Sequence, residues 1–185
     1  MKKRKAVFLD RDGTMVVHEH YLSSPDQLKI LPHVAQGIHR FKEHDYLVIV
    51  ITNQSGIARG FFDEERLMLI HEKLDAMLKG EGALIDDWYY CPHHPEGIIE
   101  RYTMDCDCRK PKPGMILAAA RKYHLDLTQS LMIGDSETDM LAGKNAGCKS
   151  MLIRNRGNDD VCATSGKAID YVVKDLMEAA GIFIS

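Results

Sequence analysis

A surplus of positive charge is missing from this chain. Twenty-four Lys and Arg stand against 27 Asp and Glu, a net of −3. Proteins that coat nucleic acid or lie on anionic membranes need a basic excess, so neither partner is expected. Long apolar stretches are missing too. The longest runs, such as Met115 to Ala120, are six residues, far short of the roughly 20 that span a bilayer. Met1-Lys2-Lys3-Arg4-Lys5 is basic, but only Ala6 to Leu9 follow it, too short an apolar segment for a signal peptide. A cytoplasmic protein is expected. There is a single Trp and no aromatic-basic stripe, which removes the usual platform for stacking bases. Cysteines are scarce and odd in number, five in all, which argues against a disulfide framework in a reducing compartment.

What is present fits one domain. A chain of 185 residues, 45% hydrophobic and 28% charged, has an ordinary globular composition. On folding it buries about 70% of its extended surface, enough for one full core across residues 1–185. Short apolar runs alternate with helical patterns, the signature of a parallel sheet covered on both faces. Strands are expected at Lys5 to Leu9, Tyr46 to Ile51, Asp87 to Tyr90, Ser130 to Ile133, Lys149 to Ile153 and Tyr171 to Val173. Helices are expected from His33 to His44, after an N-cap at Asp63, from Pro113 with Ile116, Leu117 and Ala120 as its stripe, from Glu137 to Asn145, and within Lys174 to Ala180. The fold class is therefore α/β, a doubly wound Rossmann-like parallel sheet, in which ligands bind beyond the carboxyl ends of the strands.

Those ends carry the chemistry. The first strand runs into Asp10-Arg11-Asp12-Gly13-Thr14; two carboxylates directly after a buried strand are costly unless a cation or a chemical task holds them. The second runs into Thr52-Asn53-Gln54-Ser55-Gly56, short donors suited to an anion. The fourth runs into Gly134-Asp135-Ser136-Glu137-Thr138-Asp139. Acidic clusters converging at one sheet edge suit a hard cation such as Mg²⁺. Between Cys91-Pro92-His93-His94 and Cys106-Asp107-Cys108 the spacing is C-x-H, twelve residues, then C-x-C. Three thiolates with His93 or His94 would make a closed, structural, tetrahedral Zn²⁺ site in a loop at about 91–108. Arg109 and Lys110 follow its last cysteine directly, so this clamp would fix both cations against the sheet edge. Cys148 and Cys162 read as small apolar residues.

Taken together, Asp10-x-Asp12-Gly13-Thr14, Thr52-Asn53, Lys110 and Gly134-Asp135 with Asp139 resemble the four motifs of the haloacid dehalogenase superfamily, in its aspartate-phosphatase branch. The resemblance implies that Asp10 attacks phosphorus, that Asp12 is general acid and base, and that Thr52 and Lys110 stabilise the phosphoryl oxygens. It also implies Mg²⁺ on Asp10, the Asp12 backbone carbonyl and Asp135, with Asp139 supporting the metal indirectly. The zinc loop, Thr52 to Gly60 and Cys108-Arg109-Lys110-Pro111 are similar to the D-glycero-D-manno-heptose 1,7-bisphosphate 7-phosphatases, which act in the synthesis of activated heptose for bacterial surface polysaccharide. That resemblance selects His93 as the fourth zinc ligand. It assigns His18, Glu19, His20, Tyr21, Asn53, Gln54, Ser55 and Arg109 to a phosphorylated sugar substrate. Ser136 departs from members that carry Lys there, losing a charge beside the phosphate. No segment is long enough for a cap domain, so an open, monomeric phosphatase is expected, with selectivity from the His18 to Tyr21 loop, the zinc loop and Arg59; Arg101, Tyr102 and Lys112 are possible extensions of the pocket. Histidinol-phosphate phosphatases share the zinc loop and are the alternative substrate class; a zinc-loop binding module is the alternative outside enzymes.

Overall fold

The computed structural model describes residues 3–19, 21–154 and 168–184. Six strands form one sheet: β1 (Lys5–Leu9), β2 (Tyr46–Asn53), β3 (Asp87–Cys91), β4 (Leu131–Gly134), β5 (Lys149–Ile153) and β6 (Tyr171–Val173). Their order is β3-β2-β1-β4-β5-β6 and every pairing is parallel. The central strands are apolar without interruption because both faces are covered. Val7, Leu9, Val48, Val50 and Ile133 face one core, and Phe8, Ile49, Ile51 and Met132 face the other, following the two-residue strand period.

Helices α1 (Val34–Glu43), α3 (Glu64–Gly80) and α6 (Leu176–Ile184) bury residues in the first core. On the opposite face lie α4 (Gly114–Tyr123) and α5 (Glu137–Ala146). Asp63 caps α3 as expected, its side chain accepting from the Arg66 N–H at 2.8 Å. Three expectations need adjustment. In α4 the buried residues are Met115, Ile116 and Ala119, with Leu117 and Ala120 only half-buried. Met115, Ile116 and Ala119 join Ile49 and Ile51 in the second core, a stripe turned by one residue from the expected one. The last helix runs on to Ile184, and Phe183 reaches the Tyr46 ring. One turn, α2 (Ser55–Ala58), follows β2 directly and was not among the expected helices. Cys148 is buried in the second core; Cys162 lies outside the described residues.

The chain steps outward from β1 to β2 and β3, then returns to β4 on the other side of β1. The carboxyl ends of β1, β2 and β4 thus surround the point where the strand order reverses, the customary ligand position in such sheets. Among the described residues, no helix is long and apolar enough to cross a membrane.

Candidate active site

A cleft of about 280 Å³ opens over those strand ends. At its floor Lys110 is almost fully buried; its ammonium donates to Asp10 Oδ1 at 2.6 Å and the Ile51 carbonyl at 2.9 Å and forms an ion pair with Asp139 Oδ1 at 2.6 Å. Burial alone would push this lysine down, but Asp10 and Asp139 hold it above the ordinary lysine range, so it stays charged. The other Asp139 oxygen, Oδ2, accepts from the Ser136 N–H at 3.1 Å and hydroxyl at 2.5 Å, capping α5. Ser136, noted from the sequence as a departure from members that carry Lys there, is thus part of the helix cap.

Asp12 is held on the other side. Arg11, buried to 1% exposure, donates from Nε and Nη2 to Oδ1 at 3.1 and 2.9 Å and from Nη2 to Oδ2 at 2.8 Å. Gln54 donates from Nε2 to Asp12 Oδ2 at 2.9 Å and to Thr52 Oγ1 at 2.8 Å. Behind Arg11, His71 of α3 lies 3.3 Å from Nη1 through its Nε2. Burial, and then the Arg11 charge, push His71 down to about 3, so the ring is neutral and accepts the guanidinium proton.

Lys110 is placed by β2 as well as by its own loop. Asn53 donates from Nδ2 to the Lys110 carbonyl and accepts the Lys110 N–H at Oδ1, both at 3.1 Å. Just upstream, Cys91, His93, Cys106 and Cys108 converge. Their sulfurs lie 3.2–3.4 Å apart, and His93 Nδ1 lies 3.4 and 3.6 Å from two of them. A tetrahedron with Zn–S bonds of about 2.3 Å has edges near 3.8 Å, so this set fits Zn²⁺ after a small expansion. His94 turns away, its Nε2 facing Arg59 at 3.3 Å. Arg109 donates to the His93 carbonyl at 3.3 Å. Glu64 ties the loop to the sheet by accepting from Tyr102 at 2.6 Å and Tyr90 at 2.8 Å.

A divalent cation also fits the floor. Among the described residues, four carboxylates, Asp10, Asp12, Asp135 and Asp139, gather around Arg11 and Lys110, with His18 also near Asp135. Burial, opposed by Lys110 and reinforced by Asp139, Asp12 and Asp135, pushes Asp10 up to about 8. Burial and Asp139 push Asp135 up to about 6. Both shifts reflect carboxylates short of positive charge, and Asp10, Asp135 and Asp139 offer oxygens close enough to share an ion. Gly13, at φ +81°, lets Asp135 come near: a Cβ there would collide with the Asp135 carboxylate.

Most of the expected site residues meet in this cleft. Asp10, Asp12, Thr52, Lys110, Asp135, His18, Glu19, Tyr21, Asn53, Gln54 and Ser55 all line it. The amides of Asn53 and Gln54, anticipated as substrate donors, are instead engaged with Lys110 and Asp12. Arg109 does not line the cleft, nor does Arg59, which meets His94 and Glu96. Arg101 stacks on Tyr102, Tyr102 binds Glu64, and Lys112 pairs with Asp105, so none of the three extends the pocket. His20 lies outside the described residues. His71 was not anticipated; its signal is a polar residue on the same helical face as Leu67, Ile70 and Leu74.

Comparison with known proteins is consistent with this site. A family model described as HAD-hydrolase-like matches residues 107–179. The chain is 41% identical over 175 residues to the D-glycero-beta-D-manno-heptose-1,7-bisphosphate 7-phosphatase of Pasteurella multocida, covering 95% of this chain and 94% of that protein. It is 43% identical over 175 residues to the enzyme of the same name from Rhodopseudomonas palustris, covering 95% and 91%. Among solved structures, D,D-heptose 1,7-bisphosphate phosphatase from B. bronchiseptica, complexed with magnesium and phosphate, superposes with a TM-score of 0.85 at 35% identity, covering 97% of this chain and 98% of that one.

Proposed function

The chain belongs to the HAD-like D-glycero-beta-D-manno-heptose-1,7-bisphosphate 7-phosphatases, and from that membership we propose that it hydrolyses the C7 phosphate of the β anomer and leaves the anomeric phosphate in place. It is a phosphoric monoester hydrolase of activated-heptose synthesis. The observation that carries the reaction type is Asp10 Oδ1 on the cleft floor, 2.6 Å from the Lys110 ammonium, with a second carboxylate two residues on.

Asp10 attacks the C7 phosphorus, forming the acyl phosphate P–O bond as the bond to the sugar oxygen breaks. Asp12 gives its proton to that oxygen, then takes one from the water that attacks the aspartyl phosphate, releasing inorganic phosphate and restoring Asp10. Lys110 and Thr52 stabilise the phosphoryl oxygens, and Gln54 aims Asp12. Asp10, Asp135 and the Asp12 carbonyl would hold Mg²⁺, which when bound offsets the repulsion between carboxylate and phosphate. Cys91, His93, Cys106 and Cys108 would hold a structural Zn²⁺. His18, Glu19 and Tyr21, with Ser55, line the cleft and would receive the sugar. As read from the sequence, it would work as a single-domain cytoplasmic monomer.

Phosphate release with Mg²⁺ from both anomers of the heptose 1,7-bisphosphate, from histidinol phosphate and from an aryl phosphate tests the substrate. The β anomer is expected to give the highest kcat/KM. A preference for histidinol phosphate would overturn the substrate and keep the chemistry.

A further inference from the structure

Asp12 has to change role twice in each cycle, so the groups that aim it bear directly on rate. The Arg11 guanidinium is one such group, and it cannot aim itself. It heads the fully buried side chains by size among the described residues, and its Nη1 points away from Asp12 toward His71 Nε2, 3.3 Å distant. Without an acceptor there, a charged N–H would be buried unsatisfied or the guanidinium would rotate off the carboxylate. His71 is itself held. Its ring stacks on Trp88 of β3 with centroids 4.6 Å apart and planes at 25°, and Tyr90 closes the edge at 6.3 Å. A neutral imidazole, buried at 4% exposure in the apolar face of α3, is an awkward choice for packing alone. In this geometry its lone pair has one evident use.

We propose that His71, clamped against Trp88, is a positioning residue for Asp12, acting as the acceptor that fixes the Arg11 guanidinium and so aims the proton donor at the leaving oxygen. The chain of contact runs from β3 through Trp88, His71 and Arg11 to Asp12, and it contains no residue that touches substrate until its last member. The inference rests on the reading of Asp12 as general acid. A defect in proton delivery harms a leaving group that must be protonated and spares one that departs as a stable anion. A packing defect harms both alike.

The test is kcat/KM, which reports through formation of the acyl phosphate, on the β-heptose bisphosphate and on p-nitrophenyl phosphate. Asp12→Asn sets the full effect, a loss on the sugar phosphate about 10²-fold or more beyond that on the aryl phosphate. His71→Leu is expected to lower the sugar-to-aryl ratio about tenfold, and His71→Gln, whose amide oxygen can meet Arg11, to restore it to within about threefold. His71→Asn, polar but too short to reach, is expected to behave as Leu does and carries the test if His71→Leu does not fold. Equal losses on both substrates, no loss on either, or a Gln variant no better than Leu would overturn the proposal. An Asp12→Asn enzyme with an unchanged ratio would instead overturn the acid-base reading beneath it.

Discussion

At the scale of single residues, the site is a problem of charge supply. Lys110 is shared between Asp10 and Asp139 at 2.6 Å each, Arg11 is spent on Asp12, and Asp135 has neither. Burial first, and then the neighbouring carboxylates, push Asp10 and Asp135 upward, and a divalent cation fits among them. His71 responds in the opposite direction, from 6.5 down to about 3, because burial and Arg11 both oppose its proton. Between those two values the unfolded chain binds a proton that the folded one refuses, so His71 costs stability progressively as pH falls below 6.5 and costs nothing above it. His71→Gln is therefore expected to lose less stability than the parent between pH 6.5 and 4, by at most about 3 kcal/mol. Urea unfolding of both proteins across that range checks this; parallel pH profiles would contradict it. The difference between the two proteins matters because Asp10 and Asp135, with raised values, act with the reverse sign in both. Residue identities at the strand ends were legible in the sequence because a DxDG turn or a GD pair is a local pattern. The partners of Asn53 and Gln54 were not, since one amide closes on a residue 57 positions away and the other on one 42 positions away.

At the scale of elements, the loop that carries the Cys91, His93, Cys106 and Cys108 cluster does for Lys110 what the sheet does for Asp10. Cys108 is two residues before Lys110, Arg109 between them is tied to the His93 carbonyl, and Asn53 receives Lys110 on β2. The loop from Pro92 to Pro113, interrupted by one 3₁₀ turn at Glu100–Tyr102, is thus anchored at three places, counting Glu64 with Tyr90 and Tyr102. Stripping zinc, or changing Cys106 to Ala, is expected to lower kcat about 10- to 100-fold through a misplaced Lys110. Activity of metal-verified zinc-free protein with Mg²⁺ resupplied checks it, and full activity there would separate the loop from catalysis. The cysteine spacing made this element readable in advance, including the choice of His93 that a resemblance supplied and that the sulfur–nitrogen distances match. The one-turn α2 was not readable: Ser55–Ala58 is too short for a helical period to appear, and Gln54 at its start is occupied with Asp12. The face of α4 was read one residue off because Ala119 and Ala120 are equally small and only the sheet decides between them.

At the scale of the whole molecule, the parallel order β3-β2-β1-β4-β5-β6 places the ends of β1, β2 and β4 side by side and leaves the cleft above them open. The alternation of strand and helix along the chain announces a parallel sheet, because right-handed crossovers leave little else for such a pattern. The convergence of Asp10, Lys110 and Asp135 then follows from the reversal of strand order rather than from any one motif. Between Asp12 and α1, among the described residues, one 3₁₀ turn, Pro25–Gln27, and isolated bridges at Val16 interrupt the loop. Such a short connection has no cap to enclose the sugar, so discrimination between the two phosphates of a bisphosphate must come from what the rim admits. Tyr21, packed on Phe61 at 4.3 Å, and His18 stand at that rim. The most direct measurement is ³¹P NMR of β-heptose 1,7-bisphosphate with Mg²⁺, run with the parent enzyme and with Asp10→Asn. Loss of the C7 monoester signal with the anomeric phosphate intact, slowed at least about 10³-fold by Asp10→Asn, is the predicted result. Loss of the anomeric phosphate, or turnover that survives Asp10→Asn, would contradict the account.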